Sequence, residues 1–373
     1  MLGDLDLSRL SRWPDIEAPG LVATDGADRL ILARARADIA AAPHAVVVIG
    51  DAYGALALGA ADAGATGIRV HQDPLSGERA LAANAARLLP AAEYRSLSLD
   101  GELTRGARVV LLRLPRSLDA LADMADVISA HAAPDVVVYA GGRVKHMAIA
   151  MNDVLRARFS RLDVTHAEAK SRVLIAREPR AANPPHPTRG RSGDLEIRAF
   201  GGAFAGARID IGTRLLLDAI PDDPAGGDAA DPLIDFACGT GVVAASLALR
   251  FPERRVYASD QSAAAVASAT ATVQANGLAD RVEVVRDDLL MRRADASGSF
   301  IALNPPFHSG AAVSDRVAPR LFADAARVLR PGGELICVWN SALRYRPALE
   351  SIVGPTRQLA RNAKFTVTTS RRR

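Results

Sequence analysis

The sequence contains few cysteines, few aromatic residues and almost no lysine. Two cysteines, Cys238 and Cys337, are too few for a disulfide framework. Aromatic residues make up 4% of the 373 residues, too sparse for a surface that stacks many bases. No stretch approaches the roughly 18 uninterrupted apolar residues of a membrane-spanning helix, and residues 1–6 are acidic where a secretory signal would be basic. We therefore expect a cytoplasmic protein with no membrane partner.

The charge balance is a weak guide to partners. Only three of the 46 basic residues are lysine, and the net charge is +4. Arginine suits phosphate through its bidentate fork, so a polyanionic partner is mildly favoured. The C-terminal run Arg371-Arg372-Arg373 is interpreted as either a flexible phosphate-binding arm or a solubilising tail. Seven scattered histidines and the absence of CxxC spacing indicate no metal site.

The chain is expected to form two α/β domains. Apolar residues make up 49% and charged residues 24%, as in ordinary globular proteins, and the length suits two domains. Residues 177–194 are rich in proline, glycine and arginine, which indicates a linker or exposed loop. We expect domains at 1–178 and 195–373, with a linker at 179–194. On both sides β-branched runs alternate with alanine-rich helical stretches, which predicts parallel sheets covered by helices.

The second half has the clearer pattern of a doubly wound sheet. Each of its short apolar runs is followed by a glycine turn or an acidic or polar residue, where such folds bind ligands. The predicted strands lie at residues 233–236, 255–260, 281–285, 300–303 and 334–339.

The first half repeats this plan in weaker form. The runs at residues 45–49, 67–70, 108–114 and 135–139 follow in the same order. The turn after its first strand has one usable glycine, and its fourth strand lacks a following asparagine and aromatic residue. We interpret this as an internal duplication whose first copy has lost its site. Two unrelated α/β domains are the alternative.

The turn at residues 235–241, Asp-Phe-Ala-Cys-Gly-Thr-Gly, predicts a nucleoside site. Its glycines allow the backbone to approach a ligand, and the following helix offers unpaired N–H groups. The GxGxxG spacing of dinucleotide enzymes is absent, which argues against NAD. Asp260 ends the second predicted strand, where a carboxylate can accept both ribose hydroxyls.

The most specific pattern is Asn304-Pro305-Pro306-Phe307 after the fourth strand. The prolines set φ and lack N–H donors, so nearby carbonyls can face a ligand. The Asn304 oxygen and the Pro305 carbonyl could then accept both hydrogens of one NH2 group, favouring a pyramidal nitrogen with its lone pair aimed at a methyl donor. Phe307 would stack on a planar base. A similar run at 183–186, Asn-Pro-Pro-His, follows no strand and is assigned no role.

Together, these motifs resemble class I S-adenosylmethionine-dependent methyltransferases. The residues Phe307-His308-Ser309-Gly310 and the segment 204–217 are similar to ribosomal RNA guanine-N2 methyltransferases of the RsmC/RlmG type. Those proteins carry a degenerate methyltransferase-like domain before an active one. The resemblance implies two tandem Rossmann-like class I methyltransferase domains, with the N-terminal copy degenerate and suited to binding substrate RNA.

The resemblance also implies roles for individual residues. Asn304 to Phe307, including Pro305 and Pro306, would hold the target guanine, and Asn304 would also lie near the cofactor. His308 would touch RNA or be merely solvated. Asp287 or Asp288 would face the adenine, with Asp288 preferred. The other cofactor-binding candidates lie in the glycine turn, at the end of the second strand and in the segment 204–217: Asp235, Ala237, Gly239, Gly241, Asp260, Gln261 and Thr213.

The expected reaction is methyl transfer from S-adenosylmethionine to guanine N2 in 16S or 23S rRNA, with S-adenosylhomocysteine as product and no metal. The partner would be ribosomal RNA or a ribosomal subunit, and a chain with an internal pseudo-dimer could work as a monomer. A protein glutamine amide or adenine N6 remains an alternative acceptor, because each offers a planar NH2 group. A noncatalytic RNA-binding factor is the alternative from another class.

Overall fold

Alanine-rich segments form the helices of this protein, and β-branched runs form its buried strands, as their propensities favour. The computed structural model describes residues 5–306 and 311–373. The chain divides into two units, Met1–His186 and Pro187–Arg373.

The first unit has a seven-stranded sheet covered by helices. Its strands run in the order β3-β2-β1-β4-β5-β7-β6, and only the pairs made by β7 are antiparallel. The strands are β1 (Val46–Ile49), β2 (Ile68–His71), β3 (Tyr94–Ser96), β4 (Val109–Arg113), β5 (Val137–Arg143), β6 (Phe159–Val164) and β7 (Ser171–Pro179). The helices are α1 (Gly26–Ala41), α2 (Ala55–Asp62), α3 (Leu75–Leu88), α4 (Gly101–Thr104), α5 (Leu118–His131) and α6 (Ala150–Arg158).

The second unit contains a two-stranded hairpin and a second seven-stranded sheet. The hairpin is β8 (Thr188–Ser192) with β9 (Leu195–Ala199). The sheet strands are β10 (Leu233–Phe236), β11 (Val256–Asp260), β12 (Val282–Arg286), β13 (Gly298–Leu303), β14 (Leu329–Asn340), β15 (Thr356–Arg361) and β16 (Phe365–Arg371). The helices are α7 (Ile211–Ala219), α8 (Val242–Arg250), α9 (Ala263–Ala275), α10 (Ala311–Val328) and α11 (Arg346–Ile352).

Both sheets have the same strand order. The second is β12-β11-β10-β13-β14-β16-β15, with the two pairs made by β16 antiparallel. Strand for strand, this repeats the order and directions of the first sheet. The predicted fold, two tandem doubly wound domains, is confirmed. The sequence pattern did not predict β3, because this short edge strand, Tyr94–Ser96, has no buried residue and therefore no apolar run.

The hydrophobic core of the second unit lies on both faces of its sheet. Alternate strand residues point to opposite faces. Leu233 and Phe300 pack in a cluster that includes residues of α8 and α9. Ile234 and Ile301 pack in another that includes residues of α10 and α11. Helices therefore cover both faces, and only the strand ends are available for a site. None of the helices in the described ranges is long and apolar enough to cross a bilayer.

The predicted linker at 179–194 is corrected at its C-terminal part, because residues 188–192 form β8. The two-residue turn Gly193-Asp194 joins β8 to β9, and Gly193 has the positive φ of +59° that such turns require. Side chains of α9 and of its C-cap residue anchor this hairpin: the Glu196 N–H donates to Asn276 Oδ1 at 3.0 Å, and the Arg198 N–H donates to Thr272 Oγ1 at 3.0 Å. The arginine-rich composition gave no strand pattern for β8, which forms by pairing with the anchored strand β9.

The flexible-arm interpretation of the C-terminal arginines is wrong. Arg371 is the last residue of β16 and pairs with Glu334 of β14. Its Nε donates to the Gly332 carbonyl at 3.1 Å, and an Arg373 guanidinium nitrogen donates to the Glu350 carbonyl at 2.7 Å. These bonds tie the C-terminal residues to β14 and to α11.

Candidate active site

The glycine turn connects β10 to α8 at the carboxyl edge of the second sheet. Ala237, Gly239 and Gly241 all have positive φ, at +59°, +54° and +74°. A Cβ at Gly241 would lie 2.8 Å from the Ala269 Cβ, so a close helix contact requires glycine there. A Cβ at Gly239 would meet nothing within 4 Å, so the turn faces open space at that residue.

Asp235 is buried beneath this turn and bonds to the start of α8. Its carboxylate is 2% exposed and accepts a 2.8 Å hydrogen bond from the Ala244 N–H in the first turn of α8. Burial raises the pKa of Asp235 to about 7, and the nearby negative charge of Asp260 adds to the increase. The carboxylate therefore joins the end of the first strand to the start of the following helix.

Asp260 lies at the end of the adjacent strand β11. One of its carboxylate oxygens accepts the Gly239 N–H at 3.0 Å, and the other accepts the Ser262 N–H at 2.9 Å. These bonds hold the carboxylate beside the glycine turn. Since two carboxylate oxygens offer about four acceptor positions, Asp260 can still accept ligand hydroxyls. Gln261 follows it and is exposed.

The acidic doublet Asp287-Asp288 follows β12, and both residues are buried. Asp287 Oδ2 accepts the Arg292 N–H at 2.8 Å, which commits this side chain to a local turn. The preference for Asp288 as the ligand-facing member of the pair stays a prediction.

The end of β13 brings Asn304 next to Thr213 of α7. Asn304 Nδ2 donates to Thr213 Oγ1 at 2.9 Å. Asn304 Oδ1 is buried and has no hydrogen-bond partner among the residues that the structure describes. Pro305 is buried and Pro306 is exposed. Phe307 and His308 lie outside the described residues, so their predicted contacts with base and RNA stay predictions.

Asp210, to which the sequence pattern assigned no role, completes this cluster. It precedes α7 and accepts the N–H groups of Gly212 at 2.8 Å and Thr213 at 3.2 Å. Its second oxygen accepts the hydroxyl of Thr213. An aspartate immediately before an amphipathic helix is a recognisable N-cap, but its link to Asn304 depends on the fold.

These residues fit a nucleoside-bearing methyl donor. The donor would need an open glycine turn, a carboxylate for its ribose and an acidic or polar group near its base. Gly239, Asp260 and Asp288 offer these at the ends of β10, β11 and β12. Because these strands are parallel neighbours, their carboxyl ends meet at one edge of the sheet. In the described ranges no three His, Cys, Asp or Glu side chains are grouped as metal ligands would be.

The comparison with known families covers both halves of the chain. Residues 4–180 match the RLMG N-terminal domain, and residues 194–369 match the family described as Methyltransferase small domain. The 16S rRNA N2 methyltransferase RsmC of T. thermophilus, solved in complex with AdoMet and guanosine, has a TM-score of 0.72 and 21% identity. That match covers 98% of this chain and 99% of the other, and it confirms the tandem fold.

Proteins called ribosomal RNA large subunit methyltransferase G match over nearly their full length. The Pseudomonas putida protein is 32% identical, with 97% of each chain covered. The Streptomyces avermitilis protein is also 32% identical, covering 96% of this chain and 95% of that relative. The residues that suggested an RsmC/RlmG-type enzyme are thus part of a similarity that spans both domains, and this chain belongs to the ribosomal RNA large subunit methyltransferase G family.

Proposed function

We propose that this protein methylates the exocyclic N2 of a guanine in large-subunit ribosomal RNA. Its relatives are named for methylating large-subunit RNA, and the T. thermophilus protein of the same fold is an N2 methyltransferase solved with guanosine. The observation that carries the proposal is the buried Asn304 Oδ1 at the end of β13, which has no hydrogen-bond partner within residues 5–306 and 311–373. A buried acceptor without a partner costs free energy, and a substrate N–H group would offset that cost.

The second unit would hold the methyl donor along the edge of its sheet. S-adenosylmethionine, when bound, supplies a methyl group on a positively charged sulfur, with S-adenosylhomocysteine as product. The backbone of the turn, at Ala237, Gly239 and Gly241, would line its methionine end, with Asp235 bracing the turn. Three further residues would hold its nucleoside: Asp260 with Gln261 at the ribose and Asp288 at the adenine.

The target base would be held by the residues after β13. Asn304 Oδ1 and the Pro305 carbonyl would accept the two hydrogens of N2. That arrangement favours a pyramidal nitrogen whose lone pair is free to attack, although the amine of guanine is ordinarily conjugated with the ring. The guanine would have to leave its stack to reach this position, and Phe307 would replace the lost stacking.

We further propose that the protein acts in the cytoplasm as a monomer on ribosomal RNA or a ribosomal subunit. The two copies of the fold are present in one chain, so a second chain is not needed to supply a second domain. We propose that the first copy binds substrate RNA.

The experiment is methyl transfer into ribosomal RNA from a strain that lacks the gene. Purified protein and labelled S-adenosylmethionine are added, and the RNA of each subunit is digested to nucleosides. We expect N2-methylguanosine in large-subunit RNA. Label in another nucleoside, or in ribosomal protein alone, would contradict the proposed acceptor.

Substitution of Asn304 tests the role of its side chain. Because Asn304→Ala removes an oriented acceptor, turnover should fall by about 100-fold or more, while calorimetric affinity for the donor stays within a few-fold. The chain offers a matched control: Asn183 begins a similar Asn-Pro-Pro run but is exposed and outside any strand. Asn183→Ala should keep full turnover. A fully active Asn304→Ala protein would exclude the assigned role.

A further inference from the structure

Asp210, Thr213 and Asn304 form a chain of hydrogen bonds at the candidate active site. Thr213 donates its hydroxyl hydrogen to Asp210, and Asn304 Nδ2 donates to Thr213 Oγ1. Thr213 is buried, and Asp210 also caps the helix that carries Thr213. Asp210 and Thr213 are therefore held at the start of α7, and Asn304 meets them from the end of β13.

The direction of each bond follows from which groups can donate. An ionised carboxylate only accepts, so the Thr213 hydroxyl must donate to Asp210. A hydroxyl has only one hydrogen to donate, so the Thr213 hydroxyl can only accept a hydrogen bond from Asn304. Asn304 must then present its NH2 group to Thr213, and its oxygen is left pointing away from Thr213. The flipped amide would place two acceptors against each other and is disfavoured.

We propose that Asp210 and Thr213 are positioning residues that hold the Asn304 oxygen toward the target amine. The inference rests on the proposed function, since it concerns how the substrate NH2 group is received. It assigns Thr213 to the orientation of Asn304, whereas the family resemblance implied contact with the cofactor. An asparagine without this support could turn its own NH2 group toward the substrate, where two donors would face each other.

The first unit contains the same three positions, with the N-cap aspartate kept and the other two side chains different. Asp25 is the N-cap of α1, as Asp210 is of α7. Asp28 is the third residue of α1, as Thr213 is of α7. Arg113 is equivalent to Asn304, because Leu112 pairs with Ile49 of β1 just as Leu303 pairs with Phe236 of β10.

These three residues of the first unit also contact one another. Arg113 forms a bidentate ion pair with Asp25, at 2.8 and 2.7 Å, and a 2.6 Å contact with Asp28. Arg113 places a cation where the second unit has the Asn304 amide, and Asp28 places a carboxylate where it has the Thr213 hydroxyl. In both units the side chain on the helix is therefore a hydrogen-bond acceptor for the N–H groups of the side chain at the strand end. This supports treating the three positions as one structural unit.

Kinetics of two Thr213 variants test the proposal. Thr213→Val has nearly the same shape but cannot accept a hydrogen bond, and we expect kcat to fall about 10- to 100-fold. KM for RNA and the affinity for the donor should change by less than about threefold. Thr213→Ser restores the hydroxyl and should recover most of kcat. Weaker donor binding with unchanged kcat would overturn the proposal in favour of a cofactor contact.

A double-mutant cycle tests whether Asp210 acts through Thr213. Asp210→Ser keeps a capping oxygen but loses the second acceptor. It should lower kcat in the wild-type background. It should have little further effect in Thr213→Val, since the hydrogen-bond relay from Asp210 through Thr213 to Asn304 is already broken. Losses that multiply would mean that Asp210 acts only on helix stability, and they would overturn the relay.

A measurement without substrate separates this proposal from the proposed function. The chain has seven asparagines, so selective ¹⁵N-asparagine labelling gives a simple NMR spectrum in which Asn304→Ala identifies the Asn304 side-chain signals. Thr213→Val should shift these signals and speed their hydrogen exchange, and Thr213→Ser should not. Unchanged signals in Thr213→Val would exclude the relay whichever molecule the enzyme methylates. A shifted signal in a protein that does not methylate guanine would contradict only the proposed function.

Discussion

Each half of the chain contains a carboxylate buried against the start of the helix that follows its first sheet strand. Asp235 accepts the N–H of Ala244, and Asp51 accepts that of Ala57 at 2.9 Å. Both donors are the third residue of the helix that follows the first sheet strand. Burial raises the pKa of Asp51 to about 6 and that of Asp235 to about 7. The first copy keeps such a buried acid without the other site residues. The acid therefore stabilises the turn and the start of the helix, and ligand binding is not needed to explain it.

This burial predicts a pH-dependent stability. An aspartate in an unfolded chain has a pKa of about 3.9. Between pH 4 and 7 the native state therefore holds a proton on Asp235 that the unfolded state has released. The free energy of unfolding contributed by this group is greatest at low pH, falls as pH rises through that range and levels off above pH 7.

Asp235→Asn should remove that slope. The variant keeps an acceptor for Ala244, and any cost of its buried NH2 group is independent of pH. The unfolding free energy of the variant minus that of the wild type should increase by on the order of 2 kcal/mol from pH 4.5 to 7.5. Fluorescence of the buried Trp339 in a Trp13→Phe background reports on the second unit alone. A constant difference would contradict the raised pKa.

The glycine turn and helix α8 depend on two glycines with different surroundings. Both have positive φ, which costs about 1 kcal/mol or more for other residues. Gly241 contacts Ala269 of α9, so a methyl group there must displace a packed helix. Gly239 faces open space, where we place the donor. Within one turn, Gly241 therefore affects mainly stability and Gly239 mainly ligand binding.

Two alanine substitutions should show that separation. Gly241→Ala should lower the unfolding free energy by about 2–4 kcal/mol, through strain and the close contact with Ala269. Gly239→Ala should cost about 1 kcal/mol but weaken donor binding at least 10-fold, because its methyl group enters the ligand space. Thermal unfolding and calorimetric titration measure the two effects. Unaltered donor affinity in Gly239→Ala would place the donor elsewhere.

The chain as a whole contains two copies of one fold and one candidate active site. Arg113 lies in the first copy where Asn304 lies in the second, and its ion pairs with Asp25 and Asp28 fill that strand end. Removing one partner of such a partly buried pair would leave charges uncompensated, so the three side chains depend on one another. The duplication thus keeps the fold in both halves and the proposed chemistry in one.

The chain should accordingly bind one molecule of donor. Calorimetric titration with S-adenosylmethionine should give a stoichiometry of one. Asp260→Ala should abolish detectable heat, because it removes the proposed ribose ligand and the acceptor of the Gly239 N–H. Asp73→Ala is the matched control, since Asp73 follows the second strand of the first copy, and its affinity should be unchanged. Two equivalents bound, or binding lost on changing Asp73, would show that the first copy is functional.

The amino-acid sequence was sufficient for features that depend on neighbouring residues. The buried strands at 233–236 and 300–303, the glycine turn, the acid at the end of β11 and the Asn-Pro-Pro run were all recognisable. Runs of β-branched and apolar residues bounded by glycine or proline are local signals. The order of these features also indicated the duplicated fold, and the motifs resembled those of the family; the tandem fold and the family are both confirmed.

Features that depend on distant residues were decided by the fold. The exposed strands β3 and β8 have no apolar run, and β8 exists because β9 pairs with it and is itself anchored on α9. Thr213 and Asn304 are 91 residues apart in the chain and meet only because α7 packs against β14, the neighbour of β13 in the sheet. A sequence pattern shows which groups are present, but the direction in which the Asn304 amide points depends on the hydrogen bonds that the folded chain places around it.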